Sequence, residues 1–260
     1  MSATPEKVAQ ASAGPALVLL HGGGPGVDAA SNWASVRSRI DGEFRCLAPD
    51  LLGFGTQIAG TGGIKGPRAW AMARARQILD VLDRHGLDRV HLVGNSAAGG
   101  AAALALLSVA PGRIDRAVVM GGAGTGPLPP AVPFYDDPTT LSMRATLGRL
   151  VADESVHGEL LDELADVRMR QALCPGAESA FRSMFVDIVG GPPPIDLTNI
   201  VTPVLALHGE LDRVSPVEVS ERLVDALPHG RLAVVAGAGH WIHVDRPDEF
   251  CKLVEEFLTA

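Results

Sequence analysis

Positive charge is scarce and scattered in this chain of 260 residues, where 22 Lys and Arg stand against 30 Asp and Glu and leave a formal net charge of -8. A surface that tracks phosphates or anionic lipid headgroups needs clustered cations, so nucleic acid and membrane are excluded as partners. Cysteine is sparse as well. Cys46, Cys174 and Cys251 are odd in number and lack metal-type spacing, which argues against a disulfide framework and a metal site and for a reducing compartment. The sequence opens without a basic leader and apolar run, and no stretch reaches the roughly 18 apolar residues of a membrane span, so a cytoplasmic protein is expected. Internal repeats and low-complexity tracts are missing too.

What is present is apolar: 47% hydrophobic residues against 20% charged, enough for one large core. Short apolar runs alternate with helical patterns: Leu17 to Leu20, Phe44 to Ala48, the amphipathic Arg68 to Arg84, Val90 to Val93, Gly99 to Val109 and Ala117 to Met120. Such alternation predicts an α/β fold with a parallel sheet covered on both faces. The pattern breaks at the Gly/Pro-rich stretch Gly121 to Pro133, continues with helical periodicity alone, and passes a second breaker-rich stretch at Gly190 to Pro194. It then resumes with strand Val204 to Leu207, helix Val217 to Leu227, strand Leu232 to Val235 and helix Pro247 to Leu258. The expected organisation is a core of residues 1–123 and 196–260, interrupted by a helical insertion over 124–195.

Three strand ends carry chemistry. The run before Gly94-Asn95-Ser96-Ala97-Ala98 is strand-like and the run after it helix-like, which makes Ser96 a nucleophile on a sharp strand-to-helix turn. Small residues must flank such a turn; Ala98 stands where a glycine is usual, with Gly99 and Gly100 just beyond. Past the Val204 strand comes His208-Gly-Glu-Leu-Asp212, and past the Leu232 strand comes Gly237-Ala-Gly-His240-Trp241. Nucleophile, acid and base in the order Ser96, Asp212, His240 predict a serine triad, with His240 moving the proton and Asp212 holding the imidazole tautomer. Glu210 is the rival acid, and Asp212 could instead begin a turn. The loop His21-Gly-Gly-Gly-Pro-Gly26 offers backbone N–H groups at close approach, so Gly23 and Ala97 are the expected oxyanion donors. His21, His208 and His243 read as packing or loop-tethering residues, and Asp50 as securing a turn.

His21 to Gly26, Asn32-Trp33, Pro49-Asp50-Leu-Leu-Gly53-Phe54-Gly55, Gly94-Asn95-Ser96 and Gly239-His240-Trp241 together resemble the meta-cleavage product hydrolases of the α/β-hydrolase superfamily. The resemblance spans residues 16–260 and includes Asp166 to Gln171 and Pro175 to Ala177 of the insertion, similar to that family's cap. It implies an α/β-hydrolase fold with a helical cap. It also implies cleavage of a carbon–carbon bond in a vinylogous 1,5-diketone of the 2-hydroxy-6-oxohexa-2,4-dienoate type, with no metal or organic cofactor. The family ketonises the dienol, attacks the distal ketone and hydrolyses an acyl-enzyme. By the same resemblance Arg168 pairs with the substrate carboxylate or the oxygen beside it, Asn32 and Asn95 hold the polar end, and Trp241 and Gly24 line the site. Arg168 could equally be a solvent-facing helix charge.

Ala98, the length before Pro111 and the short stretch of 14 residues before Pro15 depart from that family's pattern. They bear on substrate more than on fold. A carboxylesterase or lactonase would use the same triad on a neutral ester, a reading favoured by the altered elbow and the 4% aromatic content. A ligand-binding protein on a retired hydrolase fold is disfavoured by the complete triad. Epoxide hydrolase and dehalogenase chemistry needs a carboxylate where Ser96 stands. The partner expected is a small molecule, and the sequence leaves a homo-oligomer open.

Overall fold

A computed structural model of the protein describes residues 14–125, 133–186 and 194–260. Six parallel strands form one sheet: β1 (Ala16–Leu20), β2 (Arg45–Leu47), β3 (Val90–Asn95), β4 (Ile114–Met120), β5 (Val204–Gly209) and β6 (Gly230–Val235), in the spatial order β2-β1-β3-β4-β5-β6. The central runs are apolar on both faces because both faces are covered. Val18, Leu20, Leu92, Val119 and Ala206 point to one side, while Leu17, Leu19, Val93, Val118 and Leu207 point to the other.

The ten α-helices are α1 (Ala29–Trp33), α2 (Arg37–Ile40), α3 (Pro67–Arg84), α4 (Ala101–Val109), α5 (Thr140–Gly148), α6 (Gly158–Ala172), α7 (Ala177–Met184), α8 (Val217–Ala226), α9 (Ile242–Asp245) and α10 (Pro247–Thr259) among the described residues. Pro67 opens α3, where its missing N–H costs nothing, and the helix buries Trp70, Ala75, Ile78 and Leu82 against the first sheet face with α4 and α8. The opposite face is covered by Trp33, Val36 and Ile40 together with Phe250, Val254 and Phe257 of α10. Burying each such large side chain contributes about 1.5–3 kcal/mol.

Between β4 and β5 the described residues are helical. Helix α5 begins with a capping box, Thr139 and Ser142 satisfying each other's backbone N–H. Phe134, Met143, Leu147, Leu161, Leu164 and Ala165 form a separate apolar cluster that closes over Trp241 and Val244. Helix α7 joins the main core instead, through Ala180, Phe181 and Met184, and Ser183 accepts from the Trp70 indole at 3.1 Å. The segment between β4 and β5 thus packs on the rest of the chain at two places, around Trp241 and Val244 and against Trp70 of α3.

Two elements differ from expectation. The helix predicted from Gly99 begins instead as a π turn over Ser96–Gly100 before α4 takes over, and the strand predicted over 44–48 pairs only through Arg45–Leu47. Within this turn Gly99 passes the end of β1 at the Leu20 carbonyl and Gly100 lies against Ala123, approaches that leave no room for a side chain at either position. Most of the N-terminal stretch before Pro15, much of the first breaker-rich stretch and all of the second but Pro194 lie outside the described residues. Among the described residues no helix is long and apolar enough to cross a membrane.

Candidate active site

Strand β3 delivers Ser96 in the left-handed region, φ 54°, a conformation that costs a non-glycine residue about 1–3 kcal/mol and marks sites where the surroundings enforce it. The surroundings here are backbone. A methyl group on Gly99 would stand 2.1 Å from the carbonyl oxygen of Leu20, and one on Gly94 would stand 2.6 Å from that of Gly99. Ala98 is accommodated because Gly23 opposite it carries no side chain; a methyl on Gly23 would lie 3.1 Å from the Ala98 methyl. The loop after β1 and the turn therefore meet closely, with Gly23 packed against Ala98.

The ends of β5 and β6 bring two more side chains to Ser96. His240 Nε2 lies 2.8 Å from Ser96 Oγ, and Nδ1 lies 2.7 Å from Asp212 Oδ2. The His240 ring rests on the backbone of Gly121, whose φ of 63° and missing Cβ leave room for it. Burial alone would raise the Asp212 carboxyl, but the His240 hydrogen bond and charge and the N–H groups of Ser215 and Val214, which donate to Oδ1 at 2.9 and 2.7 Å, hold it below the ordinary aspartate value. Asp212 thus starts a turn and faces the histidine at once. Its rival Glu210 points elsewhere, accepting from Gly237 N at 2.9 Å.

Behind this constellation sit three more histidines, each tied to backbone. His208 bonds Ser215 O at 2.9 Å and Ser220 Oγ at 2.8 Å, His243 donates to Asn32 O at 2.8 Å, and His21 Nε2 accepts from Leu51 N at 2.9 Å. Burial pushes His21 down to about 4 and His243 to about 3, so both are neutral at physiological pH. Asp50 accepts from Ala29 N, Thr56 N and the Thr56 hydroxyl, which pins the loop after β2.

Four polar groups remain. Asn95 Nδ2 and Gly22 N both donate to Asn32 Oδ1, at 3.0 and 3.3 Å, leaving Asn32 Nδ2 and Asn95 Oδ1 buried without a partner. On α6, Arg168 is 1% exposed; its guanidinium carbon sits 5.0 Å from the Trp241 ring and its Nη1 is 3.1 Å from where a Gly24 methyl would be. Nε and Nη2 have no hydrogen-bond partner. Burial lowers the guanidinium to about 10, opposed by the charge of Asp28, so it is still a cation at neutral pH. The surface reading of Arg168 does not hold. Two buried donor groups left open on a cation are costly unless a hydrogen-bond acceptor fills them.

Asp245, Arg213 and the buried Arg74 escaped the sequence reading. Arg74 donates to Leu52 O at 3.1 Å and stacks on Phe54 and Trp70, holding the same loop as Asp50. Its only sequence signal is an Arg on the apolar stripe of a helix. Among the described residues no three His, Cys, Asp or Glu side chains converge as metal ligands.

The model of the alpha/beta hydrolase family matches residues 17–253. A 2-hydroxy-6-oxo-2,4-heptadienoate hydrolase of Pseudomonas putida F1 is 38% identical, over 95% of this chain and 90% of its own length. A 2-hydroxymuconate semialdehyde hydrolase of Pseudomonas sp. CF600 is 33% identical, over 95% and 88%. Among solved structures, the 2-hydroxy-6-oxo-6-phenylhexa-2,4-dienoate hydrolase of Rhodococcus sp. RHA1 superposes with a TM-score of 0.85 at 33% identity, covering 95% of this chain and 92% of that one.

Proposed function

The chain belongs to the alpha/beta hydrolase family and within it to the meta-cleavage product hydrolases, and on that premise we propose that it hydrolyses a carbon–carbon bond in a 2-hydroxy-6-oxohexa-2,4-dienoate. The observation that carries the reading is the buried Arg168 guanidinium, whose Nε and Nη2 have no partner. A dienoate carboxylate entering an apolar site loses its hydration, and a planar guanidinium replaces it with paired charge-assisted hydrogen bonds. Asn32 Nδ2 and Asn95 Oδ1 supply a free donor and a free acceptor for the neighbouring polar end.

In this reading the substrate first ketonises, its 2-hydroxyl proton being replaced by a proton on C5. Ser96 Oγ then attacks the C6 carbonyl while His240 Nε2 takes the hydroxyl proton, Asp212 stabilising the imidazolium. The oxyanion is met by the N–H groups of Gly23 and Ala97; losing one such donor typically costs about 2.7–4 kcal/mol in the barrier. Collapse breaks the C5–C6 bond, and the electron pair passes through the C3–C4 double bond onto the C2 oxygen. Arg168 faces the charge that develops there. The imidazolium proton passes to the C2 oxygen of the dienolate, a 2-hydroxypenta-2,4-dienoate leaves, and water activated by His240 hydrolyses the acyl-Ser96. Residues 124–195 serve as the cap that shields these steps.

The test compares a chromogenic dienoate diketone with neutral aryl esters. Arg168→Ala is expected to impair diketone turnover sharply, by about 100-fold if one paired contact worth roughly 3 kcal/mol is lost. Ester turnover should stay near wild type, since Ser96, Asp212 and His240 lie outside the insertion. Ester-only activity in the wild type would move the assignment to a carboxylesterase, and equal losses on both substrates would mean structural damage.

A further inference from the structure

The segment after α5 is seated on both loops that bring Asp212 and His240 to Ser96, and Asp245 stands at the centre of that contact. Its Oδ2 accepts from Gly239 N at 2.7 Å and from Ala152 N at 3.0 Å, while Oδ1 lies 2.9 Å from His157 Nε2. The side chain is 3% exposed. On the far side of His240, Trp241 N donates to Leu150 O at 2.7 Å. The packing is tight enough that a methyl on Gly239 would come within 2.7 Å of Ala152 N. Beside Asp212, Arg213 Nη2 donates to the carbonyls of Gly148 and Val151 at 3.0 and 2.9 Å.

Both backbone neighbours of His240 are therefore tied to the insertion, one through a carboxylate and one directly. Nothing in the hydrolytic steps uses Asp245. A buried carboxylate is costly unless its oxygens are filled, and here two of the groups that fill them are backbone N–H donors from separate parts of the chain. The residue is spent on geometry. We propose that Asp245 is a positioning residue that sets the His240 loop against residues 148–157, so that seating the insertion and aligning the base with Ser96 are a single event. The proposal rests on the reading in which Ser96 and His240 carry the chemistry, where a displacement of about 1 Å can cost on the order of 100-fold in rate.

The test uses the full-length protein and reads three quantities: kcat and KM on the dienoate diketone, the rate at which a serine-directed phosphonate labels Ser96, and the active fraction from that labelling. Asp245→Ala is expected to lower kcat per active site by about 100-fold, with KM within about threefold, and to slow labelling by a similar factor. Asp245→Asn keeps an oxygen for the Gly239 and Ala152 N–H groups and should recover most of the loss. Wild-type kcat per active site in Asp245→Ala, a change in KM alone, or equal losses in the Ala and Asn variants would each overturn the proposal. If the Ala variant does not fold, Asp245→Glu decides: its longer arm displaces the loop and should lower kcat, and an unchanged kcat would overturn the assignment. A wild-type protein that labels at Ser96 without turning over the diketone would sink the substrate reading alone, because the labelling rates would still judge Asp245.

Discussion

At the scale of the residue, a carboxylate's role is set by which atoms its two oxygens face. Asp212 spends one oxygen on the N–H groups of Val214 and Ser215 and the other on His240, so its orientation is held by the backbone even before the histidine arrives. Glu210, two residues earlier, is spent on Gly237 N. Asp212→Asn is accordingly expected to lower kcat by about 10⁴-fold, as a triad with the wrong tautomer does, with the fold retained. Glu210→Gln should cost less than about tenfold, since an amide oxygen can still accept from Gly237. Steady-state kinetics and circular dichroism of the two variants check this, and the reverse ranking would refute the assignment of the acid.

At the scale of the element, the turn from β3 into α4 is governed by what has no side chain. Gly99 crosses β1 so closely that a methyl there meets backbone carbonyls, which cannot move aside, whereas Ala98 faces the bare Cα of Gly23. Gly99→Ala should therefore destabilise the protein by about 3 kcal/mol or more, the cost of overpacking against rigid backbone. Ala98→Gly should cost only about 1 kcal/mol, from chain entropy at a helical position. Denaturant unfolding of both measures the difference, and a harmless Gly99→Ala would mean that the crossing has slack. The departure at Ala98 from the usual small-residue pattern is thus a local exchange of one methyl group and leaves the turn intact.

At the scale of the whole molecule, two buried neutral histidines, His21 just after β1 and His243 within α9, tie stability to pH. His21 and His243 are held at about 4 and about 3, below the ordinary 6.5, because burial disfavours the charged ring. The unfolded chain binds protons below pH 6.5 that the native chain refuses until its own lower values, so stability is fully present above about 6.5 and falls as pH drops toward 4. Each histidine contributes a slope of about 1.4 kcal/mol per pH unit in that window. Urea midpoints measured between pH 7 and 4.5 should fall accordingly, and His243→Gln should remove about half of this histidine-driven slope. A slope that is the same in His243→Gln and wild type would contradict the buried neutral state.

The sequence by itself determined the class of fold and the order of its chemistry, because both are written in local pattern. Apolar runs of strand length alternating with amphipathic helices specify a covered parallel sheet, and each candidate triad residue falls just past such a run. What pattern cannot carry is which groups at distant positions share a space. Only the tertiary structure put β1 between β2 and β3, so that its glycine loop meets the Ser96 turn, turned Glu210 away from His240, and buried Arg168 of α6 over Trp241 with two nitrogens unfilled. The alternatives for Arg168 had stood level because helix periodicity assigns a face without saying what covers it. Asp245 was silent for the same reason: its partners, Ala152 and His157, are 93 and 88 positions away, and a hydrogen bond to a backbone N–H leaves no trace in the identity of the residue that donates it.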